Sequence, residues 1–196
     1  EEEVVVVERP QRKQRKVQND QFKSLTESLG LDQQHVPGKG HCMYLAFSRS
    51  YNATREDGER VCPSSQDDIR RLTAQLAEEK LVPLRRELER LEYRKEMEEL
   101  GPRSWVLRAI PRKKRDVKKM EGVIKRATSG IGQATTKRKS WGREEGLTLL
   151  ADHFNRNVMI LRLSNEFGQG HKTWHWYCIS PLFGEQRRLV HLVNNM

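Results

Sequence analysis

The sequence has few cysteines, few aromatic residues and no long apolar run. Its 196 residues include three cysteines, 7% aromatic residues and 35% hydrophobic residues. No apolar run approaches the roughly 20 residues that a helix needs to cross a bilayer, and Val4 to Val7 is too short for the core of a signal peptide. We therefore expect no membrane partner, and one domain with polar additions rather than two full cores.

Cys42, Cys62 and Cys178 are an odd number of cysteines without the spacing of a disulfide framework. This favours an intracellular compartment, cytoplasmic or nuclear, over secretion, and it leaves a thiol available for chemistry. His171, His175 and Cys178 have ligand-like spacing, but a zinc site needs four ligands and an alternating strand explains two of the three. We predict no metal and no cofactor.

The positive charge is concentrated in one segment. The formal net charge is +10, and the stretch from Arg103 to Arg143 holds 14 Lys or Arg residues against Asp116 and Glu121. That stretch therefore carries +12, and the rest of the chain sums to about −2. Such a segment can bind nucleic acid, an anionic membrane surface or an acidic protein partner. A solvated flexible insertion explains the same pattern equally well.

Periodicity divides the first two thirds of the chain into a tail, helices and an insertion. Residues 1–21 lack apolar periodicity and predict a flexible charged tail, followed by a short helix over 22–30. Helical spacing of apolar residues predicts a helix from about Ile69 that Pro83 breaks or kinks, and a second helix up to Gly101. Residues from about 103 to 140 contain few large apolar side chains. They predict a basic insertion, helical or disordered, that is poorly ordered and adds little to the core.

Apolar periodicity returns after Trp141. A helical stripe precedes the strand-like segment Val158–Leu161, and two further strands are predicted over Trp174–Ile179 and Leu189–Val193. We therefore predict an α+β fold over residues 22–196, with a small central β-sheet flanked by helices. The stripe consists of Leu147, Leu150, Ala151 and Phe154.

Cys42 follows a glycine-containing turn and begins an apolar run. A helix that starts there would place partial positive charge and backbone amides beside the sulfur, which favours a thiolate. Gly38 and Gly40 would also let backbone amides turn inward as an oxyanion hole. We predict that this helix is buried and faces the strand Val158–Leu161. From the residues alone, a small buried structural cysteine is the more common explanation of Cys42.

Two segments resemble the ovarian tumour (OTU) family of cysteine proteases. Residues 36–46, VPGKGHCMYLA, resemble the nucleophile loop of that family, usually Asp-Gly-(Asn/His)-Cys-(Leu/Met)-(Phe/Tyr) at the start of a helix. Trp141-Gly142 and the helix and strand that follow, up to Leu161, resemble its second signature. The resemblance extends from about Leu25 to Met196, with the basic middle unmatched. It implies a papain-like fold and a thiol-dependent deubiquitinase, which cleaves after the C-terminal glycine of ubiquitin or a ubiquitin-like modifier.

The resemblance also implies roles for individual residues. Cys42 would attack the carbonyl, amides of the loop at Lys39, Gly40 and His41 would bind the oxyanion, and a histidine would move protons through a thioester intermediate. His41 is expected to shape the loop through its backbone rather than act as the base, because adjacent residues in an extended turn point apart. The family's histidine follows the last strand, where this chain stops, so we expect a truncated C-terminal end. His191 is the substitute within the chain, unless it is an ordinary sheet-face histidine.

Two alternatives stay open. Lys39 stands where the family usually has Asp, and together with the absent histidine it favours an OTU-like domain that binds ubiquitin or serves as a scaffold without cleaving. In the other alternative the basic segment binds nucleic acid through phosphates and Cys42 is structural.

Overall fold

The computed structural model describes most of the chain. Its described backbone covers residues 2–7, 24, 27–28, 31–36, 39–98, 101, 104–165, 172–179 and 188–194. Side chains are described for residues 24, 27, 28, 36, 39–98, 101, 104–137 and 139–160. Four α-helices lie in these residues: α1 (Cys42–Thr54), α2 (Gln66–Met97), α3 (Trp105–Thr128) and α4 (Glu144–His153).

Five strands form one mixed sheet. They are β1 (Glu2–Val7), β2 (Leu31–Val36), β3 (Arg156–Asn165), β4 (Lys172–Ile179) and β5 (Arg188–Asn194). The strand order is β2-β1-β5-β3-β4. β1 runs parallel to β2 and β5, β3 runs parallel to β5, and β4 is antiparallel to β3. The two ends of the chain therefore pair side by side in the middle of the sheet.

The beginning of the predicted tail is a strand. β1 pairs with β2 on one side and with β5 on the other. The sequence signal is the run Val4–Val7, because β-branched residues favour strands and a continuous apolar run is typical of a strand in a parallel sheet. The expectation of a flexible tail is wrong for residues 2–7. Residues 8–21 and nearly all of the helix predicted over 22–30 lie outside the described residues.

Helix α2 continues without interruption through Pro83 for 32 residues. Proline inside a helix removes one backbone hydrogen bond and costs roughly 3 kcal/mol. Packing along the helix offsets that cost, since α2 buries residues on both sides of the proline, including Ala77 and Leu91. Of the two outcomes predicted at Pro83, a break or a kink, the break is therefore wrong.

The predicted poorly ordered insertion contains the 24-residue helix α3. Leu91 of α2 packs with Val106 and Ile110 near the start of α3, whereas Ala77 packs with Val123 near its end. The two helices therefore run antiparallel as a hairpin. The sequence predicts that the insertion is helical or disordered, and it is helical. The prediction that it adds little to the core is wrong, because α3 has buried contacts with α2. The apolar positions are too widely spaced among lysines and arginines to mark a core helix in the sequence.

The main core lies between α1, α4 and β3. Tyr44, Phe47 and Tyr51 of α1 join a buried cluster with residues of α4 and with Val158 and Ile160 of β3. The ring of Tyr51 lies 4.6 Å from that of Phe154, measured between centroids. The helix that begins at Cys42 is buried, as predicted, and shares this cluster with Val158 and Ile160 of the predicted strand. Its contacts with the sheet are mainly with β1 and β5.

Candidate active site around Cys42

Cys42 is the first residue of α1, and its side chain is half-buried. The first hydrogen bond of the helix runs from the amide of Leu45 to the carbonyl of His41, at 3.1 Å. The amides of a first helical turn have no acceptor within the helix and create partial positive charge there. The structure therefore places the thiol where a helix favours a negative charge, as the sequence predicted.

Gly40 occupies a position that admits only glycine. Its φ is +86°, and an added Cβ would lie 2.0 Å from Oγ1 of Thr136 and 2.6 Å from Nε1 of Trp141. The amide of Thr136 donates to the carbonyl of Lys39 at 3.0 Å, and Nε1 of Trp141 donates to the carbonyl of Thr136 at 3.1 Å. The loop before Cys42 is therefore held against residues 136–141, and the two OTU-like segments meet at this point.

Hydrogen bonds hold two backbone carbonyls of the loop before Cys42. The carbonyl of Lys39 accepts from Thr136, and the carbonyl of Gly40 accepts from Nη2 of Arg70 at 3.2 Å. The described residues contain no cis peptide bond. In a trans peptide the C=O and the next N–H point in opposite directions. The amide of Gly40 therefore points away from Thr136, and the amide of His41 points away from Arg70. The side chain of Lys39 is exposed.

The ring of His41 is buried and bonded at both nitrogens. Nδ1 lies 2.9 Å from Nε of Arg70, and Nε2 lies 2.8 Å from the carbonyl of Gln133. Arginine can only donate, so Nδ1 accepts and Nε2 carries the proton. Burial and the neighbouring Arg70 lower the pKa of His41, which keeps the ring neutral. His41 shapes the loop through its ring, and with both nitrogens bonded it is not poised to exchange protons with Cys42.

Arg70 is the buried centre of this region, with 0% of its surface exposed. Its guanidinium donates to Gly40 and His41 of the loop before Cys42. It also donates to backbone carbonyls at the end of α3 and beyond it: Arg126 at 2.9 Å, Ala127 at 3.4 Å and Ser140 at 3.1 Å. Sequence analysis missed Arg70, because an arginine next to Ile69 on an amphipathic helix looks like an ordinary surface cation.

Cys62 differs from Cys42 in its surroundings. It is fully buried in the core cluster with Tyr51 and Phe154. Burial raises the pKa of its thiol to about 11. Cys62 is therefore a structural cysteine, whereas Cys42 lies at a helix terminus and is partly accessible.

The remaining predicted site residues are placed by the backbone alone. His191 lies in β5, opposite Met159 of β3 and Val4 of β1. His175 and Cys178 lie in β4, and His171 lies outside the described residues. The side chains of His175, Cys178 and His191 also lie outside the described part of the chain. Within the described part of the chain, no group of three or more potential metal ligands occurs and no helix has the length and apolarity to cross a membrane.

A cleft lined by cations lies between α3 and the start of α4. Its volume is about 310 Å³, and we call it the basic cleft; it is lined by Arg115, Lys118, Lys119, Arg126, Arg143 and Glu145. Cations of α3 that face α2 are neutralised, since Lys113 pairs with Glu87 at 2.6 Å and Lys114 with Glu92 at 2.8 Å. In the cleft, the one ion pair among described residues joins Arg126 and Glu145, at 3.4 Å.

No protein-family model, curated protein or solved structure matches this chain. The likeness to the OTU family therefore depends on residues 36–46 and 141–161, and any functional conclusion depends on the geometry around Cys42.

Proposed function

We propose that the chain is a thiol-dependent, deubiquitinase-type isopeptidase with a papain-like OTU fold and Cys42 as its nucleophile. Its substrate would be a conjugate of ubiquitin or of a ubiquitin-like protein, cleaved after the C-terminal glycine. The observation that carries the proposal is the position of Cys42 at the first turn of a buried helix, directly after a loop whose Gly40 has φ +86°. A structural cysteine needs neither feature.

The hydrogen bonds to the carbonyls of Lys39 and Gly40 support the proposed mechanism. Attack by the Cys42 thiolate on the carbonyl carbon forms a C–S bond and places negative charge on the carbonyl oxygen, which the outward-facing amides of Gly40 and His41 would stabilise. Collapse to the thioester breaks the C–N bond and releases the lysine amine, which takes up a proton. Water then cleaves the thioester and regenerates the thiol.

The proton transfers need a base other than His41. Both ring nitrogens of His41 are engaged by Arg70 and Gln133. His191, in the central strand β5, stays the candidate within the chain. The same observation favours the alternative of an OTU-like domain that binds ubiquitin without cleaving it, as does Lys39 in place of the family's Asp.

Hydrolysis of a fluorogenic amide at the ubiquitin C-terminus tests the proposal. We expect turnover that Cys42→Ala abolishes and Cys62→Ser leaves intact, because Cys62 is a buried core residue. His191→Gln identifies the base if it lowers turnover by the factor of about 10² to 10⁴ that acid–base catalysis contributes. Ubiquitin binding without any turnover would favour the non-catalytic alternative.

The basic cleft supports a second candidate function, binding of nucleic acid through phosphates. Arg126 pairs with Glu145, and no ion pair of the other cleft cations occurs in the described part of the chain, whereas Lys113 and Lys114 are both paired with carboxylates of α2. Lysines and arginines that contact phosphates release counterions, so the affinity falls with salt, with a slope of about −0.9 for each phosphate contacted in duplex DNA.

Binding of an arbitrary DNA duplex at several salt concentrations tests this second function. We expect Lys118→Gln with Lys119→Gln to lower both the affinity and the salt slope. Lys114→Gln is the matched control, because Glu92 already neutralises Lys114. Equal effects of the two changes would contradict a site in the cleft, and binding of polyglutamate in preference to DNA would identify an acidic protein partner instead.

An intracellular location, cytoplasmic or nuclear, belongs to the same proposal. It is supported by the odd number of cysteines and by the reduced thiol that the proposed chemistry needs.

A further inference from the structure

We propose that Arg70 is the positioning residue of this site: it holds the loop before Cys42 in its oxyanion-binding shape and supplies a fixed positive charge beside the nucleophile. The role rests on the proposed function of Cys42 as nucleophile.

The first line of support is geometric. Arg70 contacts two consecutive residues of the loop, the carbonyl of Gly40 at 3.2 Å and Nδ1 of His41 at 2.9 Å. The first contact turns the His41 amide outward, and the second fixes the ring that bonds to Gln133. Gly130 lies against the guanidinium, since a Cβ there would come within 2.4 Å of it. Arg70 is therefore confined on the side away from the loop as well.

The second line of support is the charge of Arg70. Buried cations are normally paired with an anion. The described hydrogen-bond acceptors of Arg70 are all neutral: four backbone carbonyls and the ring of His41. Because none of these hydrogen-bond partners is an anion, the guanidinium can still attract an anion that forms nearby. Burial lowers the pKa of Arg70, and the charges of Tyr44, Asp67 and Cys42, in that order, act in the opposite direction. The hydrogen bond to His41 holds the guanidinium at the residue before Cys42, where a positive charge favours a thiolate.

Other charged and titratable groups also lie around Arg70. Asp67 also acts on the guanidinium, and its Oδ2 accepts from the amide of Gly132 at 2.9 Å. Tyr44 offers its ring at 4.8 Å, and burial raises the pKa of its hydroxyl, which keeps it neutral. Arg126 contributes its carbonyl, while its own guanidinium reaches Glu145. Cys42 is the group among these whose proposed chemistry requires an anion.

A purely structural role would treat Arg70 as a cap for the end of α3. It does serve the carbonyls of Arg126 and Ala127, which lie in the last turn of that helix. That role predicts a loss of stability when Arg70 is changed, but no change in the acidity of the Cys42 thiol. The experiment must therefore measure the thiol itself.

Alkylation of Cys42 by iodoacetamide between pH 5 and pH 9, read by peptide mass spectrometry, provides that measurement in the whole chain. We expect Arg70→Gln to raise the midpoint of the rate profile by roughly one pH unit, which is about a tenfold slower reaction below the midpoint. Arg70→Met is the second neutral variant, used if the Gln variant does not fold. Arg70→Lys keeps the charge and loses the planar fork. It should keep the midpoint near that of the wild type, yet react roughly tenfold more slowly with an electrophilic ubiquitin probe.

Arg71→Gln is the matched control, because Arg71 is the next residue, is 60% exposed and pairs with Asp68. It should behave like the wild type in both assays. A folded neutral variant with the wild-type midpoint would overturn the proposal, as would full reactivity of Arg70→Lys toward the probe. If the wild type fails to react with the probe while the midpoint still shifts in the neutral variant, the deubiquitinase proposal fails and the electrostatic role of Arg70 stands.

Discussion

Nε of Arg70 donates a hydrogen bond to Nδ1 of His41 at 2.9 Å, and neither side chain is exposed by more than 1%. The bond fixes the tautomer of the histidine next to the nucleophile and ties α2 to the loop before α1. Through the carbonyls of Arg126 and Ala127 it also ties that loop to the end of α3. The basic helix therefore supports the candidate active site directly.

Gly40→Ala should damage the loop far more than Gly58→Ala does. Both glycines have positive φ, +86° and +90°, but a Cβ at Gly58 meets nothing within 4 Å. The control should lose about 1–2 kcal/mol for the left-handed backbone alone. Gly40→Ala should lose on the order of 1–3 kcal/mol more, because its Cβ overlaps Thr136 and Trp141. Urea unfolding of both variants measures the difference, and equal losses would mean that the loop does not pack as described.

Stability should fall as the pH falls from about 7.5 to 5.5. The pKa of His41 is lowered from 6.5 in the folded state, so below pH 6.5 the unfolded chain binds a proton that the folded chain does not. The free energy of unfolding then decreases with decreasing pH, by at most about 1.4 kcal/mol per pH unit for one histidine. The pKa of His153 is also lowered, by burial and then by Arg60, and acts in the same direction.

Urea unfolding across this pH range checks the prediction. His41→Gln keeps an acceptor for Arg70 and a donor for Gln133 but cannot titrate, so its stability should vary less with pH than that of the wild type. A variant with an unchanged slope would show that His41 does not contribute.

Ile110→Ala should destabilise the protein by about 2–3 kcal/mol, the lower part of the range for losing a buried Ile side chain. Ile110 is 8% exposed and packs with Leu91 between α2 and α3. Met97→Ala is the control, since Met97 is 67% exposed and should cost no more than about 0.5 kcal/mol. Equal effects in thermal unfolding would mean that α3 does not pack on α2.

Cys42 should react with iodoacetamide on the order of 10² times faster than Cys62 at pH 7.5. The pKa of Cys62 is raised to about 11, and its side chain is fully buried. An ordinary accessible thiol, with a pKa near 8.5, has a thiolate fraction larger by about that factor. Comparable rates at the two cysteines, read by peptide mass spectrometry, would contradict the assignment of Cys62 to the core.

The sequence predicted the parts of the site that depend on local chemistry. The glycine turn and the apolar run after Cys42 were sufficient to place the start of α1, and the stripe from Leu147 to Phe154 was sufficient to place α4. These signals are local because the positive φ of a glycine and the period of a helix involve neighbouring residues only.

The parts that it missed depend on distant contacts. Nothing local marks Arg70 as buried, since its acceptors at Gly40, Arg126 and Ser140 lie 30, 56 and 70 residues away. The sequence predicts a tail where the strand Glu2–Val7 lies, because the partners of that strand, β2 and β5, are likewise remote. The sequence predicts that α3 adds little to the core, because it has many charged residues and few apolar ones. Those apolar residues are buried only through their contacts with α2.

Covalent labelling by an electrophilic ubiquitin probe tests the central claim most directly. The wild-type chain should form a one-to-one adduct that peptide mass spectrometry locates at Cys42. Cys42→Ala should form none, and Cys62→Ser should react at the wild-type rate. A folded wild-type chain that forms no adduct, or an adduct that persists in Cys42→Ala, would contradict the account.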